Sequence, residues 1–600
     1  MKIKPADMQS DLTPSDINRR RFMQMAGAGL FVTGFGTALP LPAWAKTAAL
    51  GLRETEINTR YDLNIGYSPV VIDGRKATST GINGTMPGPL LRLREGDIVN
   101  LNVTNGLDVD SSIHWHGIIL PPNMDGVPGL SFRGIAPGDT YHYKYRLEQA
   151  GTYWYHSHSR FQEQTGTYGP LIIDPKTPEP FAYDREHVVL LSDWSFESPE
   201  TIFRNINLAG GYYNYQKRTV FDYADDIADK GFDEATKNWM AWGRMRMSPV
   251  DLLDVTGSTY TYLMNGNSPD MNWTGIFKPG ETVRLRFINS AAMTNFDVRI
   301  PGLDMTVVMV DGKRVKPVTF HEFRIGVAET YDVLVTPRAD KAFTIFAESL
   351  NRSGHARGTL APEAGMSAEI PVRRKRPVRT LEAIGMGGMD ATFFGGGISG
   401  MKEHDKKMKD RSKMNMGDPH VPGPKGPTPF KPDKNNTNVA MVIMSPRDRL
   451  AEPGIGLGDD GWKVLTYKDL KSNEPQPYKD AVDREMTINI TANMERYMFS
   501  FDGKKFTEHD GPYMFKHNER LRLWLVNHTM MEHPIHLHGM WMQLENGGSN
   551  DEIPYKHTIL VKPGEKLSVK ITPIEKGDWA FHCHLLYHLE GGMFQVMRVA

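Results

Sequence analysis

The sequence predicts an all-β chain built as three β-sandwich domains of similar construction. Three observations predict it. One pattern occurs three times, as REGDIVNLNVTN at 94–105, KPGETVRLRFIN at 278–289 and KHNERLRLWLVN at 516–527. Each copy opens with a basic residue and a polar turn, then alternates apolar and polar. In the second copy Val283, Leu285 and Phe287 point one way, and Arg284 and Arg286 the other. A period of two predicts a half-buried strand. The copies close on Asn105, Asn289 and Asn527, 184 and 238 residues apart. That is too far for a solenoid, whose repeats run on the order of 20–50 residues. Each copy therefore marks a separate domain.

The bulk numbers fit a globular multidomain protein. Of 600 residues 40% are hydrophobic and 24% charged, with a formal net charge of −1. That balance argues against nucleic acid and against an anionic membrane as partners. Cys583 is the only cysteine, so no intramolecular disulfide forms. Cysteine usage alone suggests a reducing compartment, but the N-terminus overrules it.

Residues 18–24 read NRRRFMQ, with Arg19 and Arg20 as a twin-arginine pair. A Gly/Ala-rich apolar run follows, and Ala43-Trp44-Ala45 supplies an A-x-A cleavage site. Residues 1–45 are read as a signal for the twin-arginine (Tat) export machinery, with the mature chain starting near Lys46 in a bacterial periplasm. A basic tail or an anchor helix explains the cleavage site less well. The rest of the chain has no apolar run of spanning length, so no stable membrane span is expected after cleavage.

The first domain is placed at 46–185, the second at 186–375 and the third at 435–600. His114 and His116 lie nine and eleven residues after Asn105, in HWHG, and His536 and His538 lie nine and eleven after Asn527, in HLHG. Gly138 precedes Gly151 by 13 residues and Gly564 precedes Gly577 by 13. Five and seven residues after those second glycines come His156 and His158, and His582 and His584. In the second domain the positions nine and eleven after Asn289 are Val298 and Ile300. It has the scaffold without the histidines. In H-x-H on a strand both imidazoles project from one face. Four such pairs in register across an internal repeat can meet in one cleft and hold a cluster of metals.

Cys583 sits between His582 and His584, with His588 and Met593 beyond it in FHCHLLYHLEGGM. A thiolate, two imidazoles and a weak axial thioether make a blue-copper electron-transfer site. His533, in HPIHLHG, supplies the second imidazole. The neighbours of Cys583 project to the opposite face, so one covalent path joins this site to the cluster. A free thiol in an oxidising compartment is a liability; a metal-bound one is not.

HWHG, HSH, HPIHLHG and HCHLLYHLEGGM closely resemble, in order and spacing, the four copper motifs of the multicopper oxidases. The resemblance covers about residues 50–600. It implies three cupredoxin-like, Greek-key domains and four copper ions. His533, Cys583, His588 and Met593 would hold the type 1 copper, and His114 and His536 the type 2 copper. His116, His156, His158, His538, His582 and His584 would hold the type 3 pair. The family takes single electrons at type 1 and reduces O2 to water at the cluster. It also implies an acid shortly after the first motif. Asp125, in NMDGVP, fits as a proton relay and equally as a turn residue before Gly126. Tyr587 and Leu589 flank His588, and the nearest acid is Glu590, which departs from members with an acid beside that histidine.

Residues 376–434 read as a Pro/Gly/Lys-rich linker. Met386, Met389, Met401, Met408, Met414 and Met416 fall within 384–416, where an even spread of 33 methionines over 600 residues would place fewer than two. His404 lies among them. A biased disordered linker explains this; so does accessory Cu(I) binding, since soft thioethers prefer Cu(I). For Met240, Met245 and Met247, core packing, a lid and copper binding are all open. The basic run RRKR at 373–376 reads as a solvated face. Together these features are similar to the periplasmic copper-resistance protein A oxidases. The expected reaction is oxidation of Cu(I) coupled to O2. A laccase-like phenol oxidase and a copper-sequestering protein are the alternatives.

Overall fold

The computed structural model describes residues 57–386, 426–433, 435–478 and 481–600. The expected leader lies outside the described residues, as do Met389, Met401, His404, Met408, Met414 and Met416.

Each repeat strand is the centre of one sheet, and the same spatial order recurs three times. In the first sandwich the order is Arg75–Ile82, Arg60–Ile72, Ile98–Asn105, Thr140–Arg146. In the second it begins Tyr260–Met264, Arg185–Ser195, Val283–Asn289, Thr330–Val335. In the third it begins Met498–Phe501, Arg484–Asn493, Leu521–Asn527, Lys566–Ile571. The repeat strand pairs parallel with an earlier strand every time: Ile65 with Asn105, Leu191 with Asn289, Ile490 with Asn527.

The closing asparagine explains why the pattern ends as it does. Asn105 Nδ2 donates to the carbonyls of Val109 (2.8 Å) and Ile135 (2.7 Å), and its Oδ1 accepts from Leu107 N–H. Asn289 makes the same three bonds to Thr294, Ile325 and Ala291. Asn527 makes them to Met531, Val561 and Thr529. A buried amide with all three partners ties the strand end to the loop and strand that follow. That fixes where the next strand begins, which in the first and third domains bears histidines.

One expectation about exposure fails and another holds only in part. Val283–Asn289 is buried along its whole length, including Arg284 and Arg286. Its polar face meets the first sandwich instead of water: Arg286 Nη1 donates to Thr152 Oγ1 (2.9 Å) and its other guanidinium nitrogens to Glu186, while Arg284 pairs with Asp332 at 2.5 Å. Gly151 fits there because a Cβ would lie 2.5 Å from Gly312 Cα. The RRKR run is a solvated face in part: Arg373 and Lys375 are exposed, and Arg374 and Arg376 are half-buried. Arg374 grips Glu322 at 2.6 and 2.8 Å and pairs with Asp460, and Arg373 donates to the Arg352 carbonyl.

The second sandwich also carries helices at Pro199–Leu208, Val220–Lys230 and Phe232–Met245. Ser198 caps the first, and Thr219 and Asp222 cap the second reciprocally. No helix among the described residues is long and apolar enough to cross a membrane.

Candidate metal centre

The histidines arrive on matched strand pairs. His114–His116 pairs antiparallel with Gly151–His156, placing His114 opposite His156. His533–Leu537 pairs with Gly577–Cys583, placing His536 opposite His582. The two pairs face each other across the first and third sandwiches. His582 Nε2 lies 3.0 Å from His538 Nε2 and 3.4 Å from His158 Nε2.

The potential ligand atoms sort into groups within 4.8 Å of one another: His116, His156 and His584; His158, His538 and His582; His114, His536 and His538. Each group draws on both end domains. Burial pushes His116, His156, His158, His536, His538 and His584 well below the ordinary imidazole range, and His582 down to about 3. Neutral imidazole is the form that binds metal. His114 Nε2, His116 Nδ1 and Nε2, His156 Nε2, His536 Nε2 and His584 Nε2 are buried without a hydrogen-bond partner. Unpaired buried nitrogens cost free energy; cations among them remove that cost, so the residues fit a metal cluster.

Asp125 takes the turn position that the sequence allowed, with its side chain turned toward the histidines. It follows the single turn Pro122–Met124, and its N–H donates to the Pro122 carbonyl. Its side chain is buried, with Oδ2 2.9 Å from His538 Nδ1 and Oδ1 3.3 Å from His114 Nδ1. The carboxylate thus orients His538, and the Asp125 backbone carbonyl, 2.8 Å from His114 Nδ1, orients the imidazole from the first domain. Gly126 follows at φ +77°, where a Cβ would collide with the Ile113 carbonyl.

A second buried carboxylate, Glu163, was not singled out from the sequence. Its Oε2 lies 2.7 Å from His156 Nδ1, and its Oε1 4.0 Å from His584 Nδ1. Burial raises its carboxyl well above the usual range. It lies five residues after His158 in HSHSRFQEQ, so proximity to the motif was the available signal. Glu590 lies on the wall of a small cavity lined by His156, His158, Glu163, His582 and His584. It also borders a larger cleft of about 540 Å³ that reaches His158.

Cys583 lies on the far side of its strand. Its Sγ is 3.5 Å from His533 Nδ1 and 3.7 Å from His588 Nδ1, and those two nitrogens are 3.2 Å apart. The outer nitrogens are held elsewhere: His533 Nε2 by Thr529 Oγ1 and His588 Nε2 by Asp254 Oδ2, both at 2.7 Å. These partners leave both Nδ1 lone pairs facing the sulfur. Phe499 stacks on His588 at 3.7 Å. Burial pushes the Cys583 thiol up and His588 down to about 3. Met593 is fully buried, and its carbonyl accepts from Cys583 N–H.

Family models described as multicopper oxidase match residues 64–178, 219–365 and 481–600. The chain is 50% identical over 591 residues to a copper resistance protein A homolog of Pseudomonas syringae pv. tomato, spanning 98% of this chain and 100% of the relative. The chain belongs to the multicopper oxidase family. This multicopper oxidase is 47% identical to copper resistance protein A of Escherichia coli over 97% of its own length and 99% of that protein's. Its fold is that of the multicopper oxidase Fet3p, with TM-score 0.60 at 19% identity, covering 91% and 90% of the two chains. A laccase from Botrytis aclada superposes with TM-score 0.58 at 20% identity, covering 93% and 89%. As a family member it is a copper-dependent oxidoreductase that uses O2.

Met386 is the member of the methionine segment that falls within the described residues. It is buried against Trp242, Ile384 and Met530, with Met245, Met247 and Met441 packed around them. Beside this cluster opens a cleft of about 590 Å³ lined by Met245, Met247, Met494, Met530 and Met531, with Asp251 and Glu495 on its walls. The helix Phe232–Met245 and the loop after it bring the first two methionines there.

Proposed function

We propose that the chain oxidises Cu(I) to Cu(II) at the expense of O2, in the service of copper resistance. The site residues are read as the motifs suggest. His533, Cys583, His588 and Met593 hold a type 1 copper, and His114 and His536 a type 2 copper. His116, His156 and His584 hold one type 3 copper, and His158, His538 and His582 the other. Bound copper supplies the one-electron chemistry. The chain supplies the path: Asp254 and Thr529 fix the two imidazoles at the entry site, and the strand Gly577–Cys583 carries both the thiolate and His582. Asp125 and Glu163 hold carboxylates against ligand imidazoles, where protons must arrive as O2 becomes water.

The observation that carries the choice of substrate is the methionine cleft. Met531 stands two residues before His533, and Asp251 three before Asp254. Thioethers are soft ligands that favour Cu(I) over harder ions. Five of them line one cleft whose walls continue, through two short stretches of chain, into both type 1 histidines. The names of the relatives support a role in copper resistance. The Arg19–Arg20 leader supports export by the twin-arginine route to the periplasm.

The test is steady-state O2 uptake with Cu(I) and with a small phenol, in the native protein and in Met245→Leu/Met247→Leu/Met530→Leu. Leucine keeps the volume and removes the sulfur. The KM for Cu(I) should rise by about tenfold or more while phenol turnover holds. Unchanged Cu(I) kinetics would remove the cleft from the substrate route.

A further inference from the structure

The chain between Cys583 and His588 is held from another domain. Leu586–Glu590 is a short helix that carries His588. The first amides of a helix need acceptors from outside it, and Leu585, which precedes it, makes no side-chain cap. The middle domain supplies the acceptors. The Leu586 N–H donates to the Ala292 carbonyl (2.9 Å), and the Tyr587 N–H to the Met293 sulfur (3.3 Å). One residue earlier, the Leu585 N–H donates to the Cys583 sulfur.

Ala292 and Met293 are held in turn by one carboxylate. Asp193 is 3% exposed. Its Oδ1 accepts from the Ala292 N–H (2.9 Å), and its Oδ2 from the Met293 N–H (3.1 Å) and from Thr294 Oγ1 (2.7 Å). Strand register puts it there. Leu191 pairs with Asn289, so Asp193, two residues on, stands beside the loop that follows Asn289. The same count from Ile65, the partner of Asn105, lands on Tyr67; from Ile490, the partner of Asn527, it lands on Ala492. The scaffold therefore closes without a carboxylate at this position. The acid stands in the copy whose loop grips the helix carrying His588.

We propose that Asp193 is a positioning residue for the type 1 copper. By fixing residues 292–294 it fixes the chain between Cys583 and His588, and with it how readily that copper accepts an electron. Hydrogen bonds around the cysteine sulfur tune the potential of such a site, and partners outside the ligand set orient the ligands. An amide that donates to the sulfur draws charge from it and favours the reduced copper. Letting the helix drift weakens that bond and favours the oxidised copper. The proposal rests on reading His533, Cys583, His588 and Met593 as the type 1 ligands.

Two readings test it: redox titration of the blue absorption in the loaded protein, and hydrogen exchange in the copper-free protein. At a fixed applied potential, Asp193→Ala should lower the ratio of reduced to oxidised type 1 copper by about threefold or more. In the copper-free protein the amides of residues 585–590 should exchange about tenfold faster or more. Met293→Leu keeps the volume, removes the sulfur and leaves Asp193 its three bonds, so it should move both readings the same way by less. Asp193→Asn keeps the shape with one acceptor oxygen fewer, and should move both readings where Asp193→Ala does not fold. Ile345→Ala opens a cavity in the fully buried middle-domain core; it should lower stability and move neither reading. If folded Asp193→Ala or Asp193→Asn leaves either reading at its native value, or Ile345→Ala moves the ratio as far, the proposal is overturned. If instead the loaded native protein shows no blue absorption, it is the type 1 reading beneath it that fails, and faster exchange in Asp193→Ala would still show that the carboxylate holds the helix.

Discussion

Position for position, Val298 and Ala347 in the middle sandwich stand where His114 and His156 stand in the first, and His536 and His582 in the third. One residue over, the middle domain pairs Asp297 with Glu348, where the third pairs Ile535 with Cys583. In the middle domain that buried face is filled by ion pairs. Asp297 binds Arg324 at 2.8 and 2.9 Å and Arg352 at 2.5 Å, and Glu348 lies 3.5 Å from Arg352. In the end domains it is the opposite face, that of Val298 and Ala347, that carries neutral imidazoles with unpaired nitrogens. The scaffold is common; one copy completes its polar core with arginine, the other two with metal. The middle domain therefore pairs its buried charges with protein groups alone, and the end domains are completed by what they bind.

The largest effect should come at Cys583. Cys583→Ser turns the H-C-H of the third domain into the H-S-H already present at 156–158 in the first. Loss of the thiolate should abolish the blue absorption and bring turnover to background, while the cluster copper stays bound. A variant that remains blue would contradict the type 1 assignment. Next comes the middle domain. Asp297→Ala removes the carboxylate that two buried arginines share, leaving Arg324 with Glu532 and Arg352 with Glu348, and should destabilise by about 3 kcal/mol. Calorimetry should find nearly the same loss with and without copper. A loss that depends on copper would mean that the middle domain is not independent of the metal. Asp125→Asn keeps the turn and the backbone contact to His114, and weakens the carboxylate contact to His538. It should slow O2 reduction by about 10–100-fold with copper content nearly intact, as measured by single-turnover reoxidation.

The smallest effect is a pH dependence confined to the copper-free protein. Burial holds His582 and His588 at about 3, against about 6.5 in the unfolded chain. The unfolded state takes up protons first, so the stability these histidines contribute is present above about pH 6.5 and falls as pH drops toward 3. Each contributes a slope of about 1.4 kcal/mol per pH unit across that window. Melting temperatures of the copper-free protein between pH 7 and 5 should show it, with a shallower slope in His582→Leu. Identical slopes would mean that the end-domain imidazoles are not the acid-sensitive element.

Much of this comparison was legible in the sequence. The repeat gave strand phase, and counting from Asn105, Asn289 and Asn527 gave the matched histidines and their absence at Val298 and Ile300. The face of Arg284 and Arg286 was not legible, because periodicity reports which way side chains point and not what covers them. Asp254 and Thr529 were missed for a related reason. Asp254 reaches His588 from another domain, and Thr529 falls in no H-x-H spacing. Glu163 was within reach, five residues beyond His158. The helices at 199–245 were readable from Ser198-Pro199 and from the Thr219–Asp222 capping pair, local signals that a β-period search passes over.

The central claim is that the end domains hold a copper centre fed by Cu(I) and discharged by O2. Its most direct test is to follow Cu(I) loss, O2 loss and peroxide together in one anaerobically loaded, oxygen-pulsed reaction of the fully metallated protein. The account predicts that O2 disappears in step with Cu(I), four Cu(I) for each O2, with no peroxide released. No O2 uptake above the copper-free protein, or two Cu(I) for each O2 with peroxide appearing, would contradict it.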